Sequence, residues 1–174
     1  MHQVEKTTLL AALLALAPQS ERIVTVEDVA ELVIRHPHVV SLQARQANLE
    51  GRGGLDLAVL VRESLRMRPD RIVVGECRGA ELRELLTALN TGHDGGAGTL
   101  HANSLDDVPA RLEALGALAG LPADALARQA VSALDLVVHL VRAADGRRSV
   151  AAVGGLRLGA GGRLEIAPLP GAGP

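Results

Sequence analysis

The chain has 174 residues, of which 48% are hydrophobic, a size that favours one domain with a real core over two full domains. Phe, Trp and Tyr are all absent, so Leu, Val, Ile and Ala must form the core, and no aromatic platform exists for stacking nucleic-acid bases. The formal net charge is -2 with basic and acidic residues interspersed, which indicates neither a nucleic-acid footprint nor a polybasic membrane anchor.

The cysteine content and the early apolar run bear on the compartment. Cys77 is the only cysteine, which excludes an internal disulfide and fits a reducing compartment. Residues 9–17 form the longest early apolar run, at about half the length that a bilayer span requires, and no basic region precedes it as in a secretion signal. These features predict a cytoplasmic protein.

The order of apolar patterns along the chain predicts a sheet flanked by helices. It begins with a helix over residues 7–17 that is apolar on nearly every face and stops at Pro18. Short β-branched runs predict strands over residues 22–27, 38–42 and 71–75, with a weaker fourth over 96–101. Helical patterns cover residues 55–66, 80–90, 105–118 and 123–134. Strands that alternate with helices predict a mostly parallel α/β sheet.

The last part of the chain has a different pattern. Residues 135–141 and 149–158, joined across Asp145 and Gly146, predict a closing antiparallel hairpin. The segment from residue 159 onward is rich in Gly and Pro, has one possible strand over 163–166, and is otherwise typical of a loose tail. We therefore predict a domain over residues 1–158 and a tail over residues 159–174.

Four segments carry residues with catalytic or binding chemistry, and the first lies at the start of the chain. Lys6 and Thr7, followed by Thr8, open an apolar helix, as do the last residues of a phosphate-binding G-x-x-x-x-G-K-[ST] loop. The alternative is an ordinary helix start with a threonine near its cap.

The second segment covers residues 68–78 and is an apolar strand that delivers Glu76 at its carboxyl end. Ligands bind at that end in a parallel α/β sheet, so the carboxylate is placed to hold the water shell of Mg²⁺ or to polarise an attacking water. The alternative is an ion pair with Arg78 or Arg68.

The third segment, residues 91–104, combines His93 and His101 with four glycines. Glycines allow a backbone to approach a phosphate, and His and Asn supply donors that stabilise its charge. The two histidines do not have a usual metal-ligand spacing. The alternative is a glycine-rich turn with His101 in the core.

The fourth segment is a strand that ends in adjacent carboxylates, Glu27 and Asp28, with Glu31 close behind. We interpret this as part of the same site. The alternative is that Asp28 caps a helix that extends through residue 34.

Taken in order, these segments resemble the four signature boxes of the type II/type IV secretion ATPase superfamily, most closely the branch that powers Flp, or tight-adherence, pilus assembly. Lys6, Thr7 and Thr8 resemble the end of the Walker A loop. Residues 23–31 resemble the acidic box, residues 68–79 the Walker B box, and residues 91–104 the histidine box. The resemblance extends from Lys6 to Arg142 and includes residues 47–53 and 65–68.

The resemblance implies a RecA-like P-loop NTPase core that works as a homo-oligomeric ring, a hexamer, at the inner face of the cell membrane. ATP and Mg²⁺ would bind at subunit boundaries, and strokes would pass to a pilus or secretion platform in the inner membrane. In this family pattern, Lys6 neutralises the β/γ-phosphates and Thr7 ligates Mg²⁺. Glu27 activates or positions water, and Glu76 takes the Walker B role beside the metal.

The resemblance also implies roles for histidines and arginines. The histidines would couple the γ-phosphate to the ring interface, and the arginines would contact phosphate or that interface. The histidines are His93 and His101, and the arginines are Arg66, Arg68 and Arg78.

One position departs from the family pattern, because Glu5 stands where the family has Gly immediately before the lysine. The earlier glycines of the loop and the strand that feeds them have no counterpart in the sequence, which predicts an N-terminally truncated motor. A carboxylate near triphosphate is repulsive, so we expect weak nucleotide binding, an unpaired sheet edge and an uncovered face of the first helix.

Three functions are compatible with these residues. The first is an ATPase motor for pilus assembly or protein export. The second is a non-catalytic ring or scaffold subunit of the same family, in which Glu5 is an inactivating substitution. The third, a RecA-type nucleic-acid motor, is disfavoured by the charge balance and the missing aromatic residues.

Overall fold

The computed structural model describes residues 3–48, 50, 52–93, 95–142 and 146–169. The chain forms two compact units, Met1–Leu100 and His101–Pro174. The first unit holds a parallel sheet and the second an antiparallel sheet, as the two sequence patterns predict.

The first unit is built on a four-stranded sheet in the order β2-β1-β3-β4, in which every neighbouring pair is parallel. Its strands are β1 (Ile23–Glu27), β2 (Val39–Gln43), β3 (Arg71–Val74) and β4 (Ala97–Gly98). All residues of β1 are buried, because a central strand of a covered parallel sheet has neighbours on both faces. The four predicted strands are confirmed. Their carboxyl ends share one edge of the sheet, called the carboxyl edge here.

Three helices accompany this sheet: α1 (Gln3–Leu14), α2 (Leu57–Ser64) and α3 (Glu81–Leu89). A short 3-10 turn, Leu65–Met67, continues α2 toward β3. The side chain of Asp56 caps α2 by accepting a hydrogen bond from the Val59 amide over 2.8 Å. Leucines spaced three and four residues apart give α3 a buried face: Leu82, Leu85, Leu86 and Leu89.

The described side chains of the first helix, from Lys6 onward, include both buried and exposed apolar residues. Leu14 of α1 packs in a cluster with Ile23, Leu32 and Val73. Leu13 of α1 is 53% exposed, and Leu16, which follows the helix by two residues, is 81% exposed. The helix begins before the predicted residue 7 and ends before Pro18, at Leu14.

The segment after β1 is a loop. Residues 28–36 contain no helix, so the alternative in which Asp28 caps a helix through residue 34 is wrong. The backbone of this segment is held instead by hydrogen bonds to the side chain of Glu27.

The second unit contains two helices and an antiparallel sheet of three strands in the order β5-β6-β7. Its elements are α4 (Val108–Leu118), α5 (Ala123–Ala133), β5 (Val137–Arg142), β6 (Arg148–Leu158) and β7 (Leu164–Pro168). A Cβ on Gly116 of α4 would lie 2.8 Å from a methyl of Leu126, so glycine allows α4 and α5 to approach closely. The predicted hairpin is confirmed, and β7 adds a third strand at the possible strand over 163–166.

Two further points concern the limits of the described chain. Asp145 of the predicted hairpin turn and residues 170–174 of the predicted tail lie outside the described residues. Across the residues that the structure describes, no helix is both long and apolar enough to span a membrane.

Candidate functional site at the carboxyl edge of the parallel sheet

Two buried acids lie at the carboxyl ends of neighbouring strands. Glu27 is the last residue of β1, and Glu76 follows β3 by two positions. Only 3% of Glu27 and 6% of Glu76 are exposed. The strand register aligns Val26 with Val74, which brings both acids to the same edge. Carboxylates are rarely buried to this extent without specific partners, so their surroundings indicate what they do.

One oxygen of Glu27 is held by backbone. Its Oε1 accepts hydrogen bonds from the amide of Glu31 over 3.1 Å and from the amide of Leu32 over 3.0 Å. Among the described residues, no group donates a hydrogen bond to the other oxygen, Oε2. The side chain therefore has a fixed orientation and one oxygen that can still accept a proton.

Glu76 is paired with an arginine. The Nη2 of Arg78 donates to Oε2 of Glu76 over 2.6 Å. This hydrogen bond and the charge of Glu76 raise the pKa of the Arg78 guanidinium above its usual value, and the nearby Asp28 and Glu31 carboxylates act in the same direction. The ion pair that the sequence left open for Glu76 is thus formed with Arg78. Most of the Arg78 side chain is exposed, so it can leave this carboxylate without unfolding the strand.

Lys6 reaches the same edge from α1. Its Nζ donates to the carbonyl oxygen of Leu100 over 2.7 Å, just after β4 ends. Thr7 beside it is buried and Thr8 is exposed. The structure therefore brings Lys6, Glu27 and Glu76 to one edge of the sheet. The side chain of Glu5 lies outside the described part of the structure.

His93 occupies a different place. It lies in the loop between α3 and β4, at the amino ends of the strands, and its Nδ1 is 3.1 Å from the carbonyl oxygen of Ala88. The structure does not bring it to Lys6, Glu27 or Glu76. The position of His93 could have been predicted from chain order, because a loop that precedes a parallel strand lies at the amino end of that strand. His101 follows β4 and is an exposed residue of the second unit.

Two glycines of this loop lie close to β3, and for Gly96 the close neighbour is backbone. A Cβ on Gly95 would lie 2.6 Å from Nη1 of Arg71, which itself donates to the Gly95 carbonyl over 3.1 Å. A Cβ on Gly96 would lie 2.6 Å from the carbonyl oxygen of Ile72. These glycines therefore lie against β3 at the amino edge, whereas the sequence pattern predicts glycines that approach a phosphate. Asp94 lies outside the described residues.

Two of the predicted arginines are also at the amino end of β3. Arg66 and Arg68 lie in or after the turn that connects α2 to β3. Arg66 forms an exposed ion pair with Glu63, and Arg68 has a left-handed backbone with φ of 52°. The structure does not bring these two side chains to Glu76.

Sequence reasoning missed two residues that hold the carboxyl edge together. The hydroxyl of Thr99 donates to the carbonyl oxygen of Gly75 over 2.6 Å, and the Thr99 carbonyl accepts from the Cys77 amide over 2.7 Å. Glu81, 6% exposed, accepts from the amides of Arg78 and Gly79 and so fixes the turn that precedes α3. The signal for Glu81 was present, since an acid in the first turn of a helix favours such bonds.

A parallel sheet with buried acids and a lysine at its carboxyl edge defines an α/β protein of the class that binds its ligand at that edge. The chain belongs to the type II/IV secretion system protein family, which matches residues 5–157. The expected superfamily is thereby confirmed, and the Flp branch stays a prediction.

Individual relatives support this assignment. A putative conjugal transfer protein of Mycobacterium tuberculosis (strain CDC 1551 / Oshkosh) is 58% identical over 160 residues, which cover 92% of this chain and 45% of that protein. The crystal structure of the VirB11 ATPase from the Brucella suis type IV secretion system matches with 32% identity and a TM-score of 0.74, over 86% of this chain and 44% of that one. The Legionella pneumophila ATPase DotB matches with 25% identity and a TM-score of 0.58, over 88% and 42% of the two chains.

These similarities confirm the expected RecA-like fold. The chain spans less than half the length of each of these three relatives.

Proposed function

We propose that this chain is the motor part of a type II/IV secretion or pilus-assembly ATPase, which couples ATP hydrolysis to protein export or pilus assembly. The observation that carries the proposal is the convergence of Lys6, Glu27 and Glu76 on one edge of the sheet. Solved relatives with 32% and 25% identity are named as ATPases, which supports the reaction class.

The donor set at this edge fits ATP and Mg²⁺. Mg²⁺ prefers oxygen ligands such as carboxylates and hydroxyls, and an ammonium group binds phosphate as a point charge. We assign metal binding to Glu76 and Thr7 and phosphate binding to Lys6 and Thr8. When bound, Mg²⁺ would neutralise charge that develops on the phosphoryl oxygens. Arg78 would exchange Glu76 for a phosphate or for a neighbouring subunit.

Glu27 is assigned the proton transfer. Its Oε1 is occupied by two backbone amides, and its Oε2 would accept the proton of the attacking water. The water oxygen forms the new bond to the γ-phosphorus as the bond to the β-phosphate oxygen breaks, which releases ADP and phosphate. We assign His101 to the γ-phosphate, and His93, Arg66 and Arg68 to contacts between ring subunits.

The same reasoning gives the setting of the motor. A hexameric ring at the cytoplasmic face of the inner membrane, working on a platform protein there, would convert these hydrolysis events into movement. The scaffold function is the second candidate, and one structural observation favours it. Because α1 begins at Gln3, Lys6 lies inside a helix and not at the end of a phosphate loop.

The test is Mg²⁺-dependent ATP hydrolysis by this chain and by a longer version that restores a glycine-rich loop and its preceding strand. We expect activity in the longer version, and a loss of about 100-fold or more in kcat with Glu27→Gln or Glu76→Gln, because each removes a charged acid from the edge. Glu113→Gln on α4 is the matched control, an acid-to-amide change in the second unit.

Nucleotide binding is followed in parallel with a fluorescent ATP analogue. A longer version that binds nucleotide and assembles but never hydrolyses it would favour the scaffold function. Equal activity of the Glu76→Gln variant and its parent would remove the assignment of Glu76.

A further inference from the structure

Gly75 faces the side chain of Glu27 at the carboxyl edge. A Cβ on Gly75 would lie 2.7 Å from Cγ of Glu27 and 3.2 Å from its Oε1. The first distance is shorter than real Cβ contacts, so either the glycine or the glutamate would have to move.

The backbone of Gly75 is not free to move away. Its amide donates to the carbonyl oxygen of Val26 over 2.9 Å, and its own carbonyl accepts from the Thr99 hydroxyl over 2.6 Å. These bonds attach Gly75 to β1 on one side and to the residues after β4 on the other. The strain of an added methyl would therefore fall on Glu27.

Glu27 is also attached, through bonds that a displacement would break. Its Oε1 binds the amides of Glu31 and Leu32, and Leu32 is buried in the cluster that includes Leu14 and Ile23. A shift of the carboxylate would release the loop after β1 and change the direction of Oε2.

Backbone conformation does not explain the glycine. The φ angle of Gly75 lies outside the left-handed range, which other residues rarely adopt. A side chain is thus compatible with the backbone at this position and incompatible with the space that Glu27 fills. Gly79, four residues later, is the contrasting case, since its Cβ would meet only Oε2 of Glu81 at an ordinary 3.6 Å.

We propose that Gly75 is a positioning residue for Glu27: the absent side chain provides the space in which the carboxylate turns onto the Glu31 and Leu32 amides and presents Oε2. The catalytic consequence rests on the proposed function, in which Oε2 takes the proton of water. The geometric consequence does not depend on ATP hydrolysis and can be measured on this chain.

The first experiment is amide hydrogen exchange by NMR on Gly75→Ala, with Gly79→Ala as the matched control. We expect the Glu31 and Leu32 amides to exchange about 10-fold faster or more in Gly75→Ala, since they lose the acceptor that protects them, and to be unchanged in Gly79→Ala. Unchanged exchange of both amides in Gly75→Ala would overturn the proposal.

A double-variant cycle keeps the test valid if Gly75→Ala folds poorly. Glu27→Ala removes the Cγ with which the new methyl collides, so Gly75→Ala should lower Tm in the parent chain and have little effect in Glu27→Ala. Restored folding of the double variant supports the proposal. An equal loss of Tm in both backgrounds, or a double variant that does not fold, would contradict it.

Kinetics separate this inference from the proposed function. In a longer version that hydrolyses ATP, Gly75→Ala should lower kcat by about 100-fold with KM for ATP nearly unchanged, because Glu27 is misplaced while Lys6 and Glu76 stay. Faster exchange at residues 31 and 32 with an unchanged kcat would overturn the assignment of water activation to Glu27 and leave the geometric role of Gly75 in place.

Discussion

At the scale of the residue, most of the order at the carboxyl edge comes from side chains that bind backbone. Glu27 and Glu81 each accept from two amides, and Thr99 donates to the Gly75 carbonyl. Hydrogen bonds between a charged side chain and backbone are stronger than neutral ones. Glu76 differs from Glu27 and Glu81 because one of its partners is the side chain of Arg78, which is more than half exposed. A ligand can therefore replace this contact more easily than a contact with backbone.

Cys77 lies among these residues and should be chemically inert in the folded chain. It is 3% exposed, and burial raises the pKa of its thiol, with the charges of Glu81 and Glu76 adding to the effect. The thiolate is the reactive form, so alkylation at pH 8 must await local or global unfolding. We expect labelling by iodoacetamide to be at least about 100-fold slower in the folded chain than in denaturant, as followed by mass spectrometry.

The control is an exposed thiol in the same chain. Ser149 of β6 is exposed, and Ser149→Cys in a Cys77→Ala background should react as fast folded as unfolded. Comparable reactivity of native Cys77 would mean that its surroundings open far more often than the buried strand indicates.

At the scale of the element, helix ends and glycine contacts determine how the loops return the chain to the sheet. Asp56 starts α2 just after the loop that leaves β2, and Gly96 allows the loop before β4 to lie against the Ile72 carbonyl. Each contact is local, and each fixes the direction in which the chain returns to the sheet.

Asp56 gives a measurable prediction at this scale. Asp56→Ala should lower the free energy of unfolding by about 1 kcal/mol, because the Val59 amide loses its acceptor at the first turn of α2. Urea unfolding measures the loss, and Asp56→Asn should restore most of it. Asp106→Ala is the control at an exposed acid before α4, and a loss no larger than in this control would show that the cap does not stabilise α2.

At the scale of the whole molecule, the first unit exposes apolar side chains on and near α1. Leu16 is 81% exposed and Val33 is 84% exposed, whereas Leu14 at the end of α1 is 4% exposed. Val33 lines the same cavity as Ala11 and Ala12 of α1, and Leu16 follows that helix by two residues. Exposed apolar side chains that are grouped on one surface favour association between molecules. β4 is an edge strand of the sheet, since it pairs with β3 alone among the described strands.

We therefore expect this surface to control self-association. The double variant Leu16→Lys and Val33→Lys should remain monomeric at concentrations where the parent associates, with an unchanged Tm, since neither side chain is buried. Light scattering and a thermal melt measure the two quantities. Leu14→Lys, which buries a charge in the core, should prevent folding; persistent association of the double variant would place the contact elsewhere, with the β4 edge as the next surface to change.

The sequence by itself determined the elements and much of the edge they share. Apolar β-branched runs are a local property, so β1 and β3 could be predicted, and an acid at the end of each run was sufficient to place Glu27 and Glu76 at the carboxyl edge. The order of the boxes also pointed to the family. Local pattern was sufficient here because strand ends depend mainly on nearby residues.

Only the tertiary structure decided how side chains meet across strands. It placed His93 at the amino ends of the strands, whereas the acids lie at the carboxyl ends. It also formed the contact between Thr99 and Gly75, and it filled the space beside Gly75 with the side chain of Glu27. These features depend on register between strands that are far apart in the sequence. The same residues with a different register would have different neighbours, which is why composition and spacing alone could not identify them.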